Sequence, residues 1–324
     1  MISCGIIGYG FLGRILAKRL ADYRGRGLEL RMLANSKGYL LLDGDVPPGD
    51  ITPLPRFRAS SPLEPVERGL VDLLVVLTPT NVRTGEPGLT YIREALGRGV
   101  DVVTADKGPL VVAFRELTSL AESMGVSFCY EATVGGGIPI FSLARHSLMG
   151  DRIISIRGIL NGTTNYILTR MHFEGLPLDL ALQEAQMMGL AERDPSLDLE
   201  GIDSACKIVI LANALLGVDK RLGDVKVRGI NQVTSDAILA AKELGMTIKL
   251  VGSIEGDRLS VAPRLVRLNH PLCVHGTLNA IEFKLDIMGD LTLIGRGAGE
   301  STVSALLSDI EWILNRRAYL RGGR

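Results

Sequence analysis

Two rhythms of apolar residues alternate along the first 130 positions. The short runs ISCGII (2–7), LELRMLA (28–34), VDLLVVL (71–77), VDVVTA (100–105) and 126–130 read as strands. Between them, RILAKRLADY and the segments at 86–98 and 109–124 space their apolar residues as helices do. VDLLVVL is apolar almost throughout, which predicts a strand buried on both faces of a parallel sheet. Strands alternating with helices predict a doubly wound α/β domain. Residues 43–65, rich in Pro, Gly and Asp, predict a long surface excursion.

From residue 151 the rhythm changes. IISIRGIL (153–160) reads as a strand, and NGTTNYILTRM (161–171) starts a helix through Asn/Thr capping. A helix at 178–188 follows, then a polar stretch and an apolar helix ending at Leu216. TIKLVGSI (247–254), LSVAPRLVRL (259–268) and NAIEFKL (279–285) predict a second sheet that carries little polar chemistry and suits dimerisation. GRGAGES (295–301) then precedes a closing helix, so this end is expected to fold back on the first domain.

Composition narrows the function classes. The 324 residues allow two domains and a large core. Acidic and basic residues balance at 36 each, which argues against nucleic acid or an anionic membrane as the main partner. No apolar run reaches membrane-spanning length and the chain enters a strand without a charged leader, so a cytoplasmic protein is expected. The four cysteines are scattered without a CxxC pair, which indicates neither a zinc site nor a disulfide framework. Lysines number nine against 27 arginines. A lysine, unlike an arginine, can be tuned to deliver a proton.

Gly8-Tyr9-Gly10-Phe11-Leu12-Gly13 is a G-x-G-x-x-G motif with a strand before it and a helix after it, the context in which it binds a dinucleotide. The first glycine permits the turn, the second lets backbone approach the pyrophosphate, and the third lets helix and strand pack. The second strand ends at Asn35, Ser36 and Lys37, without the Asp or Glu that holds a ribose 2′-hydroxyl. Ser36 and Lys37 suit a 2′-phosphate instead. NADP(H) is therefore favoured, with NAD(H) as the alternative. Thr78 and Lys107 follow two further strands, at the sheet edge where ligands bind in open α/β folds. Gly135, Gly136 and Gly137, in YEATVGGGIPI, are read as leaving backbone bare for a ligand or cation rather than as a packing device.

The richest polar stretch is GLAERDPSLDLEGIDSACK (189–207), with the carboxylates Glu192, Asp194, Asp198, Glu200 and Asp203 and a terminal Lys207. Asp203 and Lys207 stand one helical turn apart on one face. By themselves these residues read either as a solvated acidic loop with an ordinary intrahelical ion pair or as part of a functional site. Asp194-Pro195 reads as an N-cap followed by Pro at the first helical position.

Taken together, GYGFLG, TADK (104–107), YEATVGGGIPI (130–140), GILNGTTNYIL (158–168), the 189–207 stretch and GRGAGE (295–300) resemble homoserine dehydrogenases, in the order and spacing of that family. The resemblance implies NAD(P)H-dependent interconversion of L-aspartate 4-semialdehyde and L-homoserine, a small-molecule substrate, and a homodimer. It implies a Rossmann-type dinucleotide-binding domain (1–133, completed by 286–324) and an α+β catalytic and dimerisation domain (134–285). By similarity, Lys207 is the general acid/base with Asp203 close by, and Lys107 stands at the cofactor–substrate junction. Glu192 and Asp198 match substrate-pocket acids, and Thr78 and Gly299 match nucleotide contacts. Glu131, Val134, Gly136 and Ile138 match a loop that holds a monovalent cation, Na⁺ or K⁺.

Two features depart from the pattern. The family usually carries Asn where this chain has Asp106, which adds a carboxylate next to Lys107. Forms with a C-terminal regulatory domain are longer, so threonine feedback through such a domain is not expected. The alternatives are another amino-acid or sugar dehydrogenase of the same architecture and a non-catalytic NAD(P)-binding regulatory protein.

Overall fold

The computed structural model describes residues 1–42 and 57–322. Most of the excursion expected at 43–65 lies outside them. The chain divides into two compact units, Met1–Thr133 with Gly299–Arg324, and Val134–Ala298.

In the first unit the elements run β1 (Ile2–Ile7), α1 (Phe11–Leu20), β2 (Leu28–Asn35), β3 (Gly38–Leu41), α2 (Glu64–Glu67), β4 (Leu73–Val76), α3 (Gly88–Gly97), β5 (Asp101–Thr104), α4 (Lys107–Met124) and β6 (Phe128–Cys129). The sheet order is β3-β2-β1-β4-β5-β6. All neighbours are parallel except β3, which turns back antiparallel on β2 through Ser36 and Lys37. All four residues of β4 are buried, as its apolar run requires of a central parallel strand. The strand order reverses between β1 and β4, so the ligand crevice of such a sheet opens beyond their carboxyl ends.

In the second unit follow α5 (Ile140–Ser147), β7 (Ile153–Ile159), α6 (Gly162–Glu174), α7 (Leu178–Met187), α8 (Ser196–Leu199), α9 (Ile202–Leu216), β8 (Val225–Val227), α10 (Ser235–Glu243), β9 (Met246–Glu255), β10 (Arg258–Arg267), β11 (Leu278–Leu285) and β12 (Asp290–Arg296). Its sheet runs β12-β11-β7-β9-β10-β8, antiparallel apart from the β8–β10 pair. Helix α9 is buried continuously from Ser204 to Asn213, as expected of a helix apolar on nearly every side. It packs closely on the sheet, since a Cβ on Gly252 would stand 2.7 Å from Ile208 Cγ1. Alternation along β9 therefore turns Ser253, with its register partners Arg157 and Ser260, to the face away from α9.

The closing helix, α11 (Glu300–Gly322), belongs to the first unit. Its Val303, Leu306, Ile310 and Ile313 join Cys4 and Ile6 of β1, Leu16 and Leu20 of α1, and Leu73 and Val75 of β4 in one core. Each fully buried aliphatic side chain of this kind stabilises by about 2 kcal/mol. The segment that joins the first unit begins at Gly299 rather than at 286. Residues 290–296, apolar at alternate positions, form an edge strand of the second sheet instead.

Candidate active site

In the first unit the three glycines of the motif meet three different surroundings. Gly8 has φ +104°, and a Cβ there would stand 2.4 Å from the Leu77 carbonyl oxygen. A Cβ on Gly13 would stand 2.4 Å from the Gly8 oxygen, so this position closes α1 onto β1. Gly10, at the N-cap of α1, has nothing within 4 Å of its Cβ position and no side-chain cap. The first turn of α1 carries no acidic residue, and exposed Phe11 and half-buried Leu12 begin it. A helix N-terminus with unsatisfied N–H groups and open space at its glycine fits a pyrophosphate.

Around this edge, Ser36 and Lys37 are the exposed turn between β2 and β3, and Asn35 Oδ1 accepts from the Lys37 N–H at 2.8 Å. Thr78 follows β4 and donates from Oγ1 to Asp106 Oδ2 at 2.7 Å. Asp106 is 1 % exposed and caps α4, with Oδ1 accepting from Gly108 N at 2.9 Å. Burial raises its pKa, against hydrogen bonds from Thr78, Gly108 and Thr80 and the charge of Lys107. The carboxylate that departs from the family pattern is thus a helix cap tied to Thr78. Helix α4 starts at Lys107, two residues earlier than its apolar spacing alone predicts, because Asp106 supplies the cap. Lys107 is half-buried in that first turn. Glu131 is buried in a short 3-10 turn, where its N–H donates to Asp309 Oδ2 at 3.0 Å. Gly299 precedes α11 with φ +76° and nothing within 4 Å of its Cβ position.

In the second unit the acidic stretch and the α6 N-terminus form one network. Lys207, 7 % exposed on α9, donates from Nζ to the Leu160 carbonyl at 2.5 Å and to Asp203 Oδ2 at 2.7 Å. An ammonium group has three N–H bonds, so one remains for a ligand. Asn161 Nδ2 donates to the same Asp203 oxygen at 3.0 Å and to Asp198 Oδ1 at 2.6 Å. Asp198, Asp203 and Lys207 are therefore brought together. Glu192 is exposed, and its carboxylate is not hydrogen-bonded into the network; its backbone oxygen accepts from Gln186 Nε2. Asp194 lies one residue earlier than a cap. Helix α8 begins at Ser196 with Pro195 at the cap position, and Asp194 Oδ1 accepts from Ser196 N at 3.1 Å. The Ser196 hydroxyl, and then that backbone contact, lower the Asp194 pKa against a smaller effect of burial.

The glycine run serves packing after all, contrary to the sequence reading. A Cβ on Gly136 (φ +61°) would stand 2.5 Å from Gly297 C and 2.7 Å from the Arg296 oxygen. Ile138, buried like Val134, lies against Gly295. Among the described residues no group of three His, Cys, Asp or Glu side chains converges as a metal site. The cleft of about 830 Å³ in this unit, lined by Arg157, Ser253, Ser260, Arg264 and His270, opens on the sheet face away from α9, and so away from Lys207.

Sequence reasoning missed Asn161 as part of the site. Its capping role uses only the side-chain oxygen, and the partners of its two N–H bonds lie 37 and 42 residues further along the chain, so no local signal marked them.

The homoserine dehydrogenase family model matches residues 139–310. A homoserine dehydrogenase of Methanocaldococcus jannaschii is 42% identical over 328 residues, covering 96% of this chain and 98% of that one. An NAD(+)-dependent homoserine dehydrogenase of Pseudomonas canavaninivorans is 41% identical over 246 residues, 74% of this chain and 70% of that one. Among solved structures, a putative homoserine dehydrogenase from Archaeoglobus fulgidus superposes with a TM-score of 0.89 at 43% identity, covering 97% and 99% of the two chains. A hyperthermophilic archaeal homoserine dehydrogenase in complex with NADPH gives a TM-score of 0.83 at 30% identity, covering 97% and 98%. With that likeness over nearly its whole length, the chain belongs to the homoserine dehydrogenase family of oxidoreductases.

Proposed function

We propose that the chain interconverts L-aspartate 4-semialdehyde and L-homoserine, with Lys207 as the group that gives and takes the proton at the substrate oxygen. The observation that carries this reading is the held ammonium of Lys207, with two N–H bonds fixed by Leu160 and Asp203 and one remaining. Bound NAD(P)H supplies the hydride to the aldehyde carbon. The oxygen of that aldehyde gains negative charge as the carbon is reduced, and a positioned N–H both stabilises it and delivers the proton. In the reverse direction the same nitrogen receives the proton from homoserine. Asp203 orients Lys207, and Asp198 and Glu192 hold the substrate ammonium. Glu192 takes this role from an exposed position.

Gly8, Gly10, Phe11, Leu12 and Gly13 hold the pyrophosphate, and Thr78, Lys107 and Gly299 take further cofactor contacts. Ser36 and Lys37 take a 2′-phosphate, which favours NADP(H). Among the relatives, one is named NAD(+)-dependent and one was solved in complex with NADPH. Glu131 and the backbone of Val134, Gly136 and Ile138 hold Na⁺ or K⁺. A second copy of the chain covers the open face of the second sheet, and the enzyme works in the cytoplasm. No helix of the described residues is long and apolar enough to cross a membrane.

The test is steady-state homoserine oxidation with NADP⁺ and with NAD⁺, each with and without K⁺ or Na⁺. Lys207→Ala is expected to lower kcat about 10²- to 10⁴-fold. Retained activity with an unchanged pH profile overturns the role given to Lys207.

A further inference from the structure

Asn161 stands at the junction of β7 and α6, 6 % exposed, and every polar atom of its side chain is used. Oδ1 accepts from Thr164 N at 2.8 Å and from Thr164 Oγ1 at 3.0 Å, the ordinary work of an N-cap. Its two N–H bonds go to Asp198 Oδ1 and Asp203 Oδ2. The orientation of the amide follows from these partners. Turned over, it would set its oxygen against two carboxylates and its NH₂ against a backbone N–H.

The neighbouring residue completes the arrangement. Leu160 offers its carbonyl to Lys207 Nζ, while Asn161 holds the Asp203 oxygen that also accepts from Lys207. Two consecutive residues thus fix both partners of the ammonium. Two carboxylates drawn to one nitrogen repel each other, and each then resists ionisation. Two N–H bonds shared between them favour the ionised form of both. Without that amide, the proton that one of the carboxylates would take up would weaken its hold on Lys207 or on a cationic ligand.

We infer that Asn161 is a positioning residue of the reaction, whose amide keeps Asp198 and Asp203 ionised side by side and thereby sets Lys207. This rests on the proton-transfer role proposed for Lys207. The amide does two separable jobs, capping α6 with its oxygen and bridging the carboxylates with its nitrogen.

Asn161→Ser and Asn161→Asp both keep a capping oxygen and both lose the bridging donor. The expected result for Asn161→Ser is a thermal midpoint close to that of the unaltered enzyme, kcat lowered about 10- to 100-fold, and, in the direction of aldehyde reduction where Lys207 acts as the ammonium, the acid limb of the kcat profile moved to higher pH. Asn161→Asp adds a third carboxylate and is expected to move that limb further in the same direction. It also covers the case in which the serine variant fails to fold. The inference is overturned if the acid limb stays in place in a folded variant, whether activity is kept or falls only with the folded fraction. Lys207→Ala, assayed alongside, separates the two readings. If it is inactive while Asn161→Ser retains the original profile, the inference alone fails; if it is active, the Lys207 assignment fails.

Discussion

Gly8 and Leu77 meet where β1 and β4 end side by side, the Leu77 carbonyl oxygen standing 2.4 Å from where a Cβ on Gly8 would be. Gly10, two residues on, borders open space. These glycines therefore answer to different demands. Gly8→Ala, which adds strain at φ +104° to that collision, is expected to destabilise by about 2 kcal/mol or more in urea unfolding. Gly10→Ala has φ −95°, which other residues adopt, and is expected to leave stability within about 0.5 kcal/mol. Its cost appears in the cofactor KM, raised at least about tenfold because the methyl fills space reserved for phosphate. A Gly10→Ala enzyme with unchanged cofactor KM would remove the pyrophosphate from this turn.

On the proposed reading, cofactor choice rests on a two-residue turn. Lys37 is exposed at the carboxyl end of β2, where a charge-assisted contact to a 2′-phosphate contributes about 1.5–3 kcal/mol. Lys37→Asp replaces that contact with repulsion and offers a carboxylate to a ribose hydroxyl. The ratio of kcat/KM for NADP⁺ to that for NAD⁺ is expected to fall at least about tenfold. An unaltered ratio, or a strong NAD⁺ preference in the unaltered enzyme, sinks the role given to Ser36 and Lys37.

Periodicity made most of this fold legible. A run such as 71–77, apolar but for Asp72 and too short for a buried helix, reads as a central strand, and α9 is apolar on almost every side. The strands it missed are short or at edges. β3 follows from a hairpin turn at Ser36-Lys37 that no Asn-Gly signals, and β8 has three residues. Helix α5 lay hidden because the glycines before it were read as ligand-facing. In the site, Asp203 and Lys207 were legible from their spacing. Asn161 was not, because its partners are 37 and 42 residues away in sequence and only the tertiary fold brings them to one amide. Glu192 is exposed and its carboxylate lies outside that hydrogen-bond network, so membership of an acidic stretch does not by itself say which carboxylates are joined.

Lys249 gives the stability a pH dependence of its own. Its side chain is fully buried, donating to Asn165 Oδ1 at 2.7 Å and Thr169 Oγ1 at 3.2 Å. Burial pushes its pKa down from 10.5 to about 8, against a small opposing effect of Cys273. Between those values the unfolded chain holds a proton that the folded one has released, so stability rises with pH across that window. Below about pH 8 both states are charged, and above the unfolded value both are neutral, so the slope vanishes on either side. The full gain is on the order of 3 kcal/mol. Lys249→Met is expected to remove the slope, read as the difference between variant and unaltered protein in urea unfolding at pH 7.5 and pH 10. Parallel curves for the two proteins would show that Lys249 is charged throughout.

Beside its apolar core, helix α11 is tied to the first sheet through the buried carboxylate of Asp101. Asp101, 2 % exposed at the start of β5, accepts from Arg317 Nε at 2.6 Å and from Ser127 N at 2.6 Å. Arg317 also donates to the Asp72 oxygen at 2.9 Å, and Arg316 reaches Ser127 Oγ at 2.6 Å. Removing the guanidinium leaves a charge in the interior without its partner, which costs far more than the pair itself contributes. Arg317→Met is therefore expected to destabilise by about 3 kcal/mol, seen as a lowered urea midpoint at unchanged slope. Adding Asp101→Asn to it removes the stranded charge and is expected to restore part of that loss. A neighbouring pair on the same helix provides the contrast. Arg26 contacts Glu311 at 2.6 Å, but its side chain is 64% exposed, and Arg26→Ala is expected to cost under about 1 kcal/mol. Equal losses for Arg26→Ala and Arg317→Met would mean that burial of Asp101 does not set the strength of this attachment.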